Sequence, residues 1–428
     1  MTQVTHRELL PGVRLTAVQT NKFKSNLLSV TLLAPLDART ASANALLPYV
    51  LRRGTQRHPD MESLSAALDE LYGGAIEPAI RKKGEAQCIG FVGSFLDDAY
   101  ALDDTNILEQ AAGLMGEVLL CPAMEDGGFR KEYVEGERSN LVDRIQAQVN
   151  EKRAYSLLRL TQEMCAGEPY GVDRLGDGKS AAAITADGLW ERYRHLLAHA
   201  PVELYYCGSA DADRVAAALS AALEGLPRAE ELEEPDHSVQ ESAGRDQPRL
   251  VTEALDVTQG KLALGFRTGG ACVWEEDYPA LLVFDALYGG TPTSKLFLNV
   301  REKLSLCYFA SSVLEKFKGI MAVASGIEFG NYEKAKAEIL AQLDSCRDGA
   351  MEDWELESAR RAVVSTLRAT MDAQGRLEDY WLGQAVAGLE EPPQALEARV
   401  EAVTREQVVA VAQKMELDTI YFLKGKEG

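Results

Sequence analysis

His195 and His199 have the spacing of a helical metal site, because residues i and i+4 share one helix face and can converge on one ion. Glu191 stands one turn earlier. The pattern is H-E-x-x-H with its glutamate replaced by Leu196, so the carboxylate that would activate a metal-bound water is missing. A packed or surface pair is what these residues favour, with a relocated metal site as the competing reading. Gly176-Asp-Gly-Lys-Ser180 has part of a phosphate loop, but Asp173 stands where that motif needs its first glycine, and the segment follows a helix; it reads as a loop. His6, His58 and His237 fall in expected loops or termini, and the acid pairs Asp97-Asp98 and Asp103-Asp104 in a solvated polar loop. A more productive pair is Arg301 and Tyr308, inside SKLFLNVREKLSLCYFASS (294–312). A guanidinium and a phenol are fixed hydrogen-bond donors, suited to an acceptor oxygen. By themselves they read mainly as an exposed helix-end Arg and a strand Tyr packed by its ring.

The elements that must position these residues follow from periodicity. Residues 294–312 predict a helix bearing Leu296, Phe297 and Val300 that leads into a strand bearing Leu306, Tyr308 and Phe309. Strands are expected at 84–95 and 319–328, helices at 107–120 and 353–371, and a long helix or helix pair from Phe129 to about Met164. The two halves of the chain look like diverged copies. NLLSVTLLAP and NALLPYVLRRGT near the start of the first are matched by GKLALGFRTG and PALLVFDALYGGT in the second. TADGLWERYRHLLAHAPVELYYCG, closing the first, is matched by TREQVVAVAQKMELDTIYFLKG. A start and an end repeated in the same order predict duplication, one α+β sandwich per half. Between the halves lies PRAEELEEPDHSVQESAGRDQP, 227–248, too acidic and too poor in apolar residues to offset its ordering entropy, and therefore an exposed linker. The expected domains are 1–226 and 249–428.

Composition narrows the class. The 428 residues are 46% hydrophobic and 26% charged, the balance of an ordinary globular protein large enough to fold without staples. No apolar run approaches the roughly 20 residues of a membrane span, and the first residues lack a secretion signal. A cytoplasmic protein is expected. Seven cysteines, scattered singly, argue for buried reduced thiols rather than disulfides. A net charge of −21 disfavours a nucleic-acid partner. Arg81-Lys82-Lys83 and Lys316-Phe317-Lys318 are expected on solvated strand ends.

The 294–312 run, placed after Gly289-Gly290, resembles the C-terminal domain of the insulinase/pitrilysin family of zinc peptidases, which includes mitochondrial processing peptidase and insulin-degrading enzyme. There a glycine turn, Ser-Arg/Lys-Leu-Phe and Arg-Glu precede a Tyr seven residues after the Arg, as at Arg301 and Tyr308 here. Residues 68–91 and 168–193 resemble further family segments. The resemblance implies two homologous α/β-sandwich domains of mixed, mostly antiparallel sheet packed by helices. It also implies that Arg301 and Tyr308 bind substrate across a closed chamber. The family holds zinc on the first helix of its N-terminal domain with H-x-x-E-H, followed by Gly-Thr. Counting back from Arg53-Gly54-Thr55, the ligand positions here are Ala45 and Tyr49, and the general-base position is Pro48. In the segment Glu135 to Gln146, the register puts Arg144 at the third ligand. The resemblance therefore implies a catalytically silent subunit that binds no zinc and no other cofactor. A zinc-bearing sister subunit would be its partner, and a peptide or unfolded protein segment the substrate. A bacterial group of zinc-less subunits associated with 5-aminopentanol modification of elongation factor P shares this pattern. The alternative is a non-catalytic scaffold with the same fold.

Overall fold

The computed structural model describes residues 2–426. The first half of the chain opens with β1 (Gln3–Leu10), β2 (Val13–Gln19), β3 (Ser25–Pro35), α1 (Ala41–Leu51), α2 (Met61–Glu70), β4 (Ala75–Lys83) and β5 (Ala86–Leu96). It continues with α3 (Ile107–Leu120), the short strands β6 (Met124–Glu125) and β7 (Gly128–Phe129), α4 (Lys131–Ala147) and α5 (Lys152–Met164). It closes with α6 (Gly178–Ala182), α7 (Ala186–His199), β8 (Val202–Gly208) and α8 (Ala212–Ala222). The second half holds β9 (Arg249–Leu255), β10 (Gly260–Arg267), α9 (Tyr278–Asp285), β11 (Cys307–Glu315) and β12 (Ile320–Ile327). Then follow α10 (Tyr332–Arg347), α11 (Asp353–Thr370), α12 (Gln374–Val386), α13 (Pro393–Glu401), α14 (Arg405–Lys414) and β13 (Glu416–Gly425).

Local chemistry sets many of these ends. Asp60 with Ser63 and Thr404 with Gln407 form capping boxes at α2 and α14. The side chains of Thr185 and Asp211 accept from the first-turn amides of α7 and α8. The helical stretch from Phe129 to Met164 breaks at Gln148–Asn150, giving the helix pair α4 and α5.

Both halves build an α+β sandwich. One sheet has the order β1-β2-β8-β3-β5-β4 and the other β11-β12-β10-β13-β9. Set β2-β8-β3-β5-β4 beside β9-β13-β10-β12-β11, and each neighbour relation repeats. The first pair is parallel and the other three are antiparallel in both. The shared wiring supports the duplication that the sequence predicts.

The compact units do not each consist of one continuous half. One comprises Met1–Gln146, Val172–Asp236 and Ala373–Leu389; the other comprises Ala147–Gly171, His237–Asp372 and Glu390–Gly428. The first half thus gives α5 to the second unit, and the second half gives α12 to the first. In the first unit, Leu382 and Val386 of α12 pack with Leu33, Ala86 and Cys88. Glu378, 2% exposed, takes two hydrogen bonds from Arg81 at 2.6 and 2.7 Å and one from Ser29 at 2.9 Å. Lys83 reaches Asp379 at 2.8 Å. In the second unit, Leu160 of α5 packs with Ala263, Tyr421 and Leu423. Gly265 of β10 leaves room for α5, since a Cβ there would lie 2.6 Å from the Met164 sulfur. Beyond α5, Glu168 accepts from Arg267 at 2.6 Å and from Lys318 at 2.7 Å, while Asp418 takes the other side of Arg267 at 2.8 Å.

These clusters correct one expectation. Arg81, Lys83 and Lys318 do not project into solvent; Lys318 is 0% exposed. Short basic runs read as solvated only until carboxylates from distant segments arrive to pair them. The seven cysteines are free, and all but Cys121 are buried. The acidic stretch 227–248 holds neither helix nor strand, yet it is anchored. Ala229 and Glu233 donate their amides to the carbonyls of Ala198 and His199, and Lys318 donates to the Ser238 carbonyl at 2.6 Å. Among the described residues no helix is long and apolar enough to cross a membrane.

Two outcomes are expected. Glu378→Ala removes both short bonds to the partly buried Arg81 and leaves it only Asp379 at 3.3 Å, so urea unfolding should show a loss of about 1–3 kcal/mol, against about 1 kcal/mol or less for the exposed Asp379→Ala. Glu203 of β8 is buried and accepts from Arg14 at 2.7 Å. Burial outweighs that half-exposed partner and pushes the carboxyl up from 4.5 to about 7. A raised carboxyl pKa means that the folded state binds the extra proton. Its stabilisation is therefore full below pH about 4.5 and is lost as pH rises through about 7. Glu203→Gln should remove that part of the decline when unfolding midpoints are compared from pH 5 to 8.

Candidate functional site

Ala45 and Tyr49 share one face of α1, at i and i+4, and Arg53 follows four residues later in the turn beyond the helix end. Pro48 sits inside the helix, which continues past it with the Arg52 amide bonded to the Pro48 carbonyl at 3.0 Å. Proline itself has no amide to donate one turn back. Helix α4 lays a matching row alongside. Arg53 meets Glu137 at 3.4 Å, with its guanidinium 5.0 Å from the Tyr133 ring. One turn back along α1, the Arg144 guanidinium lies 3.8 Å from the centroid of the Tyr49 ring. The register expectation thus pairs two residues that are in contact. Ala45 is fully buried and Tyr49 half-buried.

These residues do not fit a zinc ion. A methyl and a pyrrolidine ring have no lone pair to give, and a neutral phenol is a poor ligand. A guanidinium against the same face opposes a dication. Among the described residues no three His, Cys, Asp or Glu side chains are grouped to hold a metal. Beneath α1 lies a polar network that sequence reasoning missed. The buried Asn44 donates to Gln87 at 2.8 Å and accepts from Arg192 at 2.7 Å, and Gln87 donates to the carbonyls of Ala41 and Arg174. An Asn inside an apolar helix run was its only signal.

The His195–His199 pair lies on α7 with its rings stacked 4.5 Å apart. His195 Nε2 meets Glu233 at 3.0 Å, and His199 Nδ1 lies 3.2 Å from the Glu231 carbonyl. The histidines clasp the acidic stretch through one carboxylate and one backbone carbonyl.

In the second unit, Arg301 belongs to residues 296–303, wound as a π-helix, a form often found at functional sites. Ser305 then takes φ +50°, and the chain reverses into β11. Arg301 is 42% exposed, beside Glu302 at 3.4 Å and 4.6 Å from the Phe297 ring. Tyr308 is 60% exposed and donates its hydroxyl to Glu328 at 2.6 Å, a bond that raises the pKa of the phenol. Among the described residues no hydrogen bond joins Arg301 to Tyr308. Glu328 is a further residue that sequence reasoning missed, because nothing in its strand-end context marks it. Nearby, Asp285 accepts from the Ser312 hydroxyl at 2.5 Å, while burial pushes its carboxyl up to about 6.

The α1–α4 stack has a measurable consequence. Introducing Ala45→His, Pro48→Glu and Tyr49→His restores the two imidazoles and the carboxylate, but leaves Arg144 facing the ion. Calorimetric titration should find zinc bound more weakly to this triple variant than to one also carrying Arg144→Glu, by a factor of about ten or more. Equal affinities would remove Arg144 from the third-ligand position.

A family model described as the peptidase M16 inactive domain matches residues 183–363. The chain is 38% identical over 417 residues, 97% of each sequence, to a Bacillus subtilis protein named as a probable inactive metalloprotease, YmfF. It superposes on a conserved protein from Enterococcus faecalis V583 with TM-score 0.89 and 28% identity over 99% of both chains. A protease from Helicobacter pylori follows at TM-score 0.81 and 14% identity over 99% of both, a likeness of fold alone. Identity of this extent, carried across both sandwiches, makes the chain a member of the M16 family, the insulinase/pitrilysin-type metallopeptidases and their homologues.

Proposed function

We propose that this chain is a catalytically silent M16 subunit, active only beside a zinc-bearing sister to which it contributes substrate-binding groups. The observation that carries this reading is the guanidinium of Arg144 stacked on Tyr49, on a helix face where family members place a dication. No zinc or other cofactor belongs to this chain; zinc is held by the partner. Arg301 and Tyr308 keep exposed donors, and in the paired enzyme they grip the scissile peptide of an unfolded segment and the oxyanion that develops from it. Tyr308 must first exchange Glu328 for the peptide as its acceptor. The pair acts in the cytoplasm, in protein modification rather than bulk degradation; this last part rests on resemblance alone.

A scaffold role is the second reading, and one observation favours it. Arg301 is engaged with Glu302 and Phe297, and Tyr308 with Glu328, so both side chains have partners without any substrate.

The test is reconstitution with the zinc-bearing sister. Arg301→Ala should lower kcat/KM of the pair by about 10²–10³, and Tyr308→Phe by a smaller factor, with complex formation unchanged. Unchanged activity in both variants would leave only the scaffold.

A further inference from the structure

The mismatch between α1 and zinc leaves a chemical feature in place of the metal. Among the described residues, neither the Arg144 guanidinium nor the Tyr49 hydroxyl has a hydrogen-bond partner, although the two side chains are stacked at 3.8 Å. The contrast along the same pair of helices is direct. Arg53 has Glu137 at 3.4 Å, Arg138 donates to the Ile184 carbonyl at 2.9 Å, and Tyr133 donates to the Pro59 carbonyl at 2.8 Å. Arg144 alone among these has no hydrogen-bond partner, and its guanidinium rests on an aromatic face.

We infer that Tyr49 and Arg144 together form a carboxylate-binding site, which takes a peptide carboxylate where other family members hold zinc. A guanidinium stacked on a ring keeps its N–H edge free, and that edge matches the two oxygens of a carboxylate. The hydroxyl of Tyr49, the ring under that guanidinium, is a further donor. Arg144 is exposed, so a ligand can reach it, while the half-buried Tyr49 gives the stack a fixed floor. The chain carries a net charge of −21, which repels acidic ligands at long range. That field is screened beyond about 8 Å at physiological ionic strength, so a contact at hydrogen-bond distance is set by the local cation. The site deepens the proposed function and rests on it in one respect: it assigns the silent subunit a hold on peptide ends or acidic side chains, without any hydrolytic chemistry. Binding itself needs no partner subunit.

Fluorescence anisotropy with the isolated full chain tests this. The probe is a labelled Ala/Leu peptide with a free C-terminal carboxylate, compared with its C-terminal amide and with an amide that carries one internal Glu. The free acid should bind at least about tenfold more tightly than the plain amide. If the internal-Glu peptide recovers that affinity, the site accepts side-chain carboxylates; if it does not, the site is specific for C-termini. Arg144→Ala should erase the preference for a carboxylate, Arg144→Lys should restore part of it, and Tyr49→Phe should reduce it by a smaller factor. Arg144 is exposed, so these substitutions spare the fold, and circular dichroism would verify it. If Arg144→Ala leaves the acid-over-amide ratio unchanged, or the wild type shows none, the site is refuted. Loss of pair activity in Arg301→Ala is scored separately, so either idea can fail while the other stands.

Discussion

Two largely buried charge clusters hold this architecture together, and each ties a sandwich to a segment from the other half of the sequence. Arg81 and Lys83 meet Glu378 and Asp379 in one unit; Arg267 and Lys318 meet Glu168 and Asp418 in the other. The first set has two cations and two anions; in the second, Arg245 also meets Asp418, which makes three cations to two anions. Removing such groups from water costs several kcal/mol per ion, which only close, multiply bonded partners repay. The clusters therefore act more as registers than as sources of net stability. An apolar helix could slide along an apolar sheet, but Glu378 has one position in which both its oxygens meet Arg81 and Ser29. Neither half of the sequence contains a complete unit, and the cut suggested by the acidic stretch would deprive each sheet of one covering helix.

The α1 face shows how little must change to end one chemistry while keeping a fold. Its apolar side still packs in the core through Leu46, Leu47, Val50 and Leu51. Of the three positions that differ in kind from a metal site, Ala45 and Pro48 are themselves buried and only Tyr49 is partly exposed. Arg144 over Tyr49 replaces a coordination bond with a cation–π contact worth about 0.5–1 kcal/mol where solvent has access. That is ample to orient a side chain and far too little to hold an element of structure. Both helices are held by packing instead: α1 through Ala45, Leu46, Leu47, Val50 and Leu51, and α4 through Tyr133, Val134 and Leu141, in one apolar core.

Much of this was legible in the residues. The strand at Asn26–Pro35 is observed at Ser25–Pro35, and the helix at 107–120 is observed at Ile107–Leu120. The doubled start and end of the chain anticipate the doubled sheet wiring. Lys318 and Arg81 were misjudged for a definite reason: their partners are 150 and 297 residues away, at Glu168 and Glu378, and no local pattern links them. The histidines of α7 had the spacing of a metal site and proved to hold the acidic stretch, through Glu233 and the Glu231 carbonyl.

By itself the sequence determined the periodicities, the repeat and the side chains offered on α1: a methyl, a proline ring and a phenol where ligands would be needed. These are properties of residue type and spacing, and no packing could supply the missing lone pairs. Only the tertiary structure decided which charges are buried together, which helix covers which sheet, that Tyr308 donates to Glu328 and that Arg144 rests on Tyr49. Such contacts join residues far apart in the chain, and their energies depend on distance and desolvation, quantities that exist only once the chain has folded.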